Sequence, residues 1–241
     1  MISIKTENLT KKYKDTVAVD NLSICVYKGE LFSLLGVNGA GKTTTIKMLS
    51  GLTDVTGGDA FLNGKSVVSQ MGEVKKIISL SPQETAVADS LTVKENLELI
   101  CGIYSYKKEK KQQKIKELTT LLGLDSVINK KAGKLSGGWK RRLSIALSLI
   151  SEPEILFLDE PTLGLDVLSR SDLWDIIRSL KGKITIVLTT HYMEEAEALS
   201  DKIAIMKDGK LLISGTAQEI KNVAKTDNFE QAFINIVRGN I

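Results

Sequence analysis

Gly36-Val37-Asn38-Gly39-Ala40-Gly41-Lys42-Thr43 satisfies the pattern GxxxxGK[ST], and Thr44 opens a helix-like stretch directly behind it. Glycines let a backbone wrap closely around phosphate oxygens. The following helix adds unpaired N–H groups and the positive end of its dipole, while Lys42 adds a cation for the β- and γ-phosphates. Thr43 then offers its hydroxyl to Mg²⁺. A second reactive group closes the run Ile155-Leu156-Phe157-Leu158-Asp159-Glu160, where an apolar stretch delivers two carboxylates to one place. Asp159 is the expected metal ligand, and Glu160, on the other side of the chain, the expected base for a water molecule. These residues imply a phosphate-binding NTPase. By themselves they do not separate a transport ATPase from a kinase or a GTPase.

Such groups meet only if strands carry them to a common edge. Short apolar or β-branched runs at 17–26, 30–35, 60–63, 155–158, 184–189 and 202–206 predict strands, and 136–151 and 168–180 predict helices. From 92 to 129 the period changes, with Val93, Leu97, Ile100, Ile115, Leu118, Leu121 and Leu122 spaced three and four apart, as in a helical segment. Asp208-Gly209 tolerates positive φ and predicts a hairpin between flanking strands. Strands alternating with helices imply a largely parallel, covered α/β sheet with antiparallel additions, whose carboxyl edge binds the ligand.

Composition removes other classes. The 241 residues are 42% hydrophobic and 26% charged with only 3 Pro, an ordinary globular balance. No apolar run approaches the roughly 18 residues of a spanning helix. Charges near Met1 replace the apolar stretch of a signal peptide, so a cytoplasmic location is expected. Cys25 and Cys101 form no CxxC pair, and the single His191 excludes two-histidine metal chemistry. With 33 basic against 29 acidic residues the net charge of +4 is a weak excess, and the lysine run at 107–116 reads as a solvated helix face.

Leu135-Ser136-Gly137-Gly138-Trp139-Lys140-Arg141-Arg142 precedes a helix. Taken alone it reads as a serine cap with a glycine turn, or as a second anion site. Here the chain resembles the ATP-binding-cassette (ABC) family, whose signature is LSGGQ followed by basic residues. The resemblance runs nearly the whole length in the family's order: Tyr13, the phosphate loop, Gln83 in Ser-Pro-Gln, the signature, Asp159-Glu160-Pro161, Gly164-Leu165-Asp166 and His191. The stretches at 91–97, 189–197 and 208–210 are similar to the drug- and sodium-export (ABC-2 type) branch. Chromosome and repair relatives carry long coiled-coil interruptions and translation-associated ones carry two cassettes, and this chain shows neither.

The resemblance implies a P-loop NTPase (RecA-like) core of 1–83 and 152–225 with an antiparallel β part. It also implies a helical subdomain at 84–151 bearing the signature, and a C-terminal tail at 226–241. It implies ATP and Mg²⁺ as cofactors, with Tyr13 stacking on adenine and residues 36–44 holding phosphates. Thr43, Gln83 and Asp159 would then serve the metal, and Glu160, His191 and Gln83 catalysis. Ser136, Gly137 and Gly138 would act on the nucleotide of a second cassette, identical in a homodimer or merely similar in a heterodimer, Asp166 would face that cassette, and no nucleic acid is expected as a partner. A separate transmembrane permease is the implied partner, with the chain peripheral on the inner face of the membrane. Two positions depart from the pattern: Trp139 stands where the family usually has Gln, and Leu163 where Ser often precedes Gly-Leu-Asp. An indole at 139 is expected against the opposing nucleotide, and Trp174 on the packed face of its helix.

Overall fold

The computed structural model describes residues 1–239. Two sheets share one chain. Strands β1 (Ile2–Tyr13), β2 (Thr16–Leu22), β3 (Cys25–Tyr27), β5 (Gly57–Leu62) and β6 (Lys65–Ser66) build an antiparallel sheet of order β2-β1-β5-β6, with β3 paired to β1. The second sheet runs β11-β10-β4-β9-β8-β7. Its strands are β4 (Leu31–Leu35), β7 (Ile78–Ser81), β8 (Ile155–Asp159), β9 (Thr185–Thr190), β10 (Lys202–Lys207) and β11 (Lys210–Gly215). All its pairings are parallel except the β10–β11 hairpin, whose turn places Asp208 at φ 48° and Gly209 at φ 78°, as a type I′ turn requires.

Every residue of β4, β8 and β9 is buried, so these strands read as continuous apolar runs rather than alternating ones. Alternation survives in which face each side chain serves. Ile155 and Phe157 point with Phe32 and Leu34 into a core shared with the antiparallel sheet and helix α1 (Lys42–Leu49). Leu156 and Leu158 point into a second core. That core is roofed by α3 (Val93–Ile103), α4 (Lys108–Leu121), α5 (Gly137–Leu149) and α6 (Val167–Leu180). A third core joins β10 to α7 (Met193–Leu199), α8 (Ala217–Val223) and α9 (Phe229–Arg238). Helix α2 (Met71–Val74) is a single turn before β7.

The chain departs from the sequence expectations at several joints. Residues 17–26 form two strands, because pairing stops after Leu22 and the chain passes through Ser23 and Ile24 before β3 begins. The helical stretch 92–129 breaks after Tyr104, where Ser105 adopts φ 56°. Strands β1 and β7 carry little period in sequence: β1 mixes lysines and threonines with few apolar residues, and β7 is short. Within the stretch 226–241, residues 229–238 form α9, whose Phe229, Ala232, Phe233 and Ile236 are buried; residues 240–241 lie outside the described residues.

Candidate nucleotide site

The loop between β4 and α1 opens a cavity of about 810 Å³ at the carboxyl edge of the parallel sheet. Gly41 adopts φ 98°, and a Cβ there would stand 2.4 Å from the Ala18 carbonyl of β2, so only glycine lets the loop seat against the antiparallel sheet. The cavity is lined by Tyr13, Thr16, Val17 and Ala18, by residues 38–44, and by Gln83, Glu160, Leu163, His191 and Asp208. Six separate stretches of chain therefore converge on it. Tyr13 stands at its mouth, 45% exposed, with Lys11 Nζ 4.8 Å from the ring centre.

Lys42 is buried, and its Nζ donates to the carbonyls of Gly36 at 2.7 Å and Val37 at 3.2 Å. The same atom lies 3.4 Å from Glu160 Oε1. Glu160 Oε2 meets His191 Nδ1 at 2.6 Å, so one buried carboxylate joins the lysine to the histidine. Glu160 holds the left-handed φ of 48°, a conformation costing roughly 1–2 kcal/mol in an L-residue. Thr189 secures it: the Glu160 N–H donates to both the carbonyl (3.2 Å) and the hydroxyl (3.0 Å) of that residue.

Thr43 Oγ1 donates to Asp159 Oδ1 at 3.0 Å, and Thr189 Oγ1 donates to the same oxygen at 2.5 Å. A hydroxyl, a carboxylate and the nearby Gln83 amide are hard oxygen donors. No cluster of His, Cys, Asp and Glu capable of closing a metal cage occurs among the described residues. That combination fits Mg²⁺, which takes one or two protein oxygens and completes its shell with phosphate and water.

Arg141, on α5, reaches beneath this floor. Its guanidinium donates to the carbonyls of Pro82, Gln83 (3.4 Å), Asp159 (2.5 Å) and Pro161 (2.9 Å), so the signature helix grips the ends of β7 and β8 at once. Burial lowers its pKa to about 10, which leaves it cationic beneath Asp159 and Glu160. Neither Arg141 nor Thr189 was singled out by sequence, since their partners are backbone atoms and a carboxylate from distant segments.

The signature itself stands outside the cavity. Ser136 is exposed at the N-cap of α5 and makes no side-chain capping bond, contrary to the simple cap reading. Gly137 lines a smaller neighbouring hollow of about 180 Å³ together with Gln83, Glu160 and Leu163. Gly138 lies against Ser169. Asp166 caps α6, accepting from Ser169 N at 3.0 Å and Ser169 Oγ at 2.7 Å. The Trp139 ring is half-buried against the helical core with the Arg142 guanidinium 5.0 Å above it. Trp174, expected to be purely packed, donates from Nε1 to Glu195 at 3.1 Å.

Comparison with known proteins agrees with this geometry. The ABC transporter family profile matches residues 19–163. The chain is 39% identical over 240 residues to the "Probable multidrug ABC transporter ATP-binding protein YbhF" of Escherichia coli (strain K12), covering 97% of this chain and 41% of that protein. It is 40% identical over 222 residues to the human "Phospholipid-transporting ATPase ABCA3", covering 90% of this chain and 13% of that one. The chain thus spans less than half the length of these relatives. Among solved structures, an ATP-binding subunit of an ABC transporter superposes with a TM-score of 0.85 at 25% identity, covering 97% and 98% of the two chains. The dimeric post-hydrolysis state of the ATP-binding cassette MJ0796, bound to ADP and Pi, superposes with a TM-score of 0.79 at 26% identity, covering 88% and 98%.

Proposed function

The chain belongs to the ABC transporter family, and on that footing we propose that it binds Mg·ATP in the cavity behind its phosphate loop and hydrolyses it within a head-to-tail pair of cassettes. The observation that carries this reading is the Glu160 carboxylate, set between Lys42 and His191 at the cavity wall. Lys42 is free to exchange its backbone carbonyls and Glu160 for phosphate oxygens, a stronger charge-assisted contact. That exchange releases Glu160 Oε1 to take a proton from water, while Oε2 keeps His191 aimed at the γ-phosphate. Tyr13 stacks on adenine, and the backbone of 36–44 surrounds the phosphates. The chemistry Mg²⁺ supplies when bound is neutralisation of phosphate charge, and Thr43, Asp159 and Gln83 are the residues that would hold it.

Ser136, Gly137 and Gly138 do not line the cavity, which suits a role toward a partner cassette's nucleotide. Among the described residues no helix is long and apolar enough to cross a membrane. As in the ATP-binding subunit that this chain covers to 98%, the proposed transport pathway belongs to separate permease subunits, which Gln83 would sense from the cavity rim, with the cassettes held at the inner membrane face. Export is the direction favoured by similarity to the multidrug relative. The test is Mg·ATP hydrolysis by the purified chain beside Glu160→Gln. That variant should bind ATP as wild type does, lose at least about 100-fold in turnover, and elute as a dimer only with ATP. Unchanged hydrolysis would sink the assignment of the base.

A further inference from the structure

Glu195 lies in α7, is fully buried, and takes no part in the chemistry above. Its Oε1 accepts the Trp174 Nε1 bond from α6. Two hydroxyls also bear on the carboxyl: Thr190, which ends β9 directly before His191, and Thr162, just beyond Glu160. Oε2 of Glu195 and Oγ1 of Thr162 are both buried, and neither has a hydrogen-bond partner among the described residues. Burial holds the carboxyl above its usual range, and a neutral carboxyl can donate as well as accept. The turn after Glu160 is tight, with Leu163 N donating to Glu160 O at 3.2 Å, so displacing Thr162 displaces Glu160. On the other side, Thr190 Oγ1 accepts from Tyr192 N at 3.0 Å and fixes the backbone around His191.

We propose that Glu195 is a positioning residue for hydrolysis: one carboxyl ties the segment bearing Glu160 to the segment bearing His191 and sets their 2.6 Å contact. This rests on the reading of Glu160 as base. The role needs a planar polar group that bonds Trp174 and lies against the two threonines, not a charge. Glu195→Gln therefore retains it, whereas Glu195→Leu removes it while keeping the site filled.

The experiment measures kcat, KM and nucleotide affinity for wild type, Glu195→Gln, Glu195→Leu and Thr162→Val, with Glu160→Gln in parallel. Trp174 emission is recorded in a Trp139→Phe background, which leaves one tryptophan. Glu195→Leu should lower kcat at least about tenfold with ATP affinity within about twofold, and should shift Trp174 emission. Glu195→Gln should stay within about threefold of wild type, and Thr162→Val should lower kcat by about three- to tenfold at unchanged affinity. Wild-type kcat in both Glu195→Leu and Thr162→Val overturns the proposal. Parallel loss of affinity and kcat overturns it equally, since that is the mark of a scaffold. If Glu195→Leu fails to fold, Thr162→Val decides alone by the same criterion. Retained turnover in Glu160→Gln would instead indict the base, whereas loss there beside wild-type behaviour in the others indicts only Glu195.

Discussion

At the scale of single residues, two buried groups carry most of the testable electrostatics. Arg141 satisfies backbone carbonyls from two strand ends with one guanidinium. Arg141→Met leaves those buried acceptors unpaired and should cost about 2–4 kcal/mol in urea unfolding, with turnover falling too. Arg141→Lys should recover little, because an ammonium cannot reproduce the planar fork. Equal stability of the lysine variant and wild type would refute that account. Glu195 gives a pH dependence of definite sign. Its folded pKa is raised by burial, against the opposing pull of the Thr190 and Thr162 hydroxyls and the Trp174 N–H and with a smaller push from the Glu160 charge, so the neutral form favours the fold. Stability is then full below the ordinary carboxylate value near 4.5 and declines as pH rises toward the raised folded value. Glu195→Gln should flatten that decline, so the stability difference between variant and wild type must grow with pH; a constant difference would contradict it. The phosphate loop was legible in sequence because its parts are adjacent in the chain. Thr189 was not, because its work is done on Asp159 and Glu160, residues that only the β8–β9 pairing brings beside it.

Helices and strands were legible where burial imposed a period, and less so where tertiary contact replaced it. The capping box at the head of α3, with Thr92 and Glu95 exchanging bonds of 3.1 and 2.7 Å, follows the S/T-x-x-E pattern. The break between α3 and α4 had no such flag. Helix α4 also corrects the reading of the lysine run at 107–116 as wholly solvated. Lys114 is buried and pairs with Glu117 at 3.1 Å and Glu152 at 3.4 Å. Replacing Lys107, Lys108 and Lys116 by Gln should therefore change stability by no more than about 0.5 kcal/mol. Lys114→Ala should cost about 1–2 kcal/mol through lost packing of its stem and an unpaired neighbour. Urea midpoints for the two sets decide this, and equal effects would return Lys114 to the solvated face.

For the whole molecule, the proposed division of labour between cavity and signature would make the functional unit larger than one chain. In a mixed head-to-tail pair of a Lys42→Ala chain with a Ser136→Arg chain, the damaged loop and the damaged signature fall in the same site. Each variant alone should be inactive, yet an equal mixture should regain ATPase activity, because mixed pairs contain one intact site. No recovery on mixing would count against the paired arrangement. The order of the parallel sheet has a separate consequence during synthesis. Strand β4 sits between β10 and β9, both of which lie more than 145 residues further along the chain. At ribosomal speeds of about 5–20 residues per second, the apolar run Leu31–Leu35 waits roughly 10–35 s before both its neighbours exist. Nascent chains stalled before β9 should therefore expose a sticky, unpaired strand and recruit holding chaperones, and release should coincide with the emergence of β10 from the ribosome.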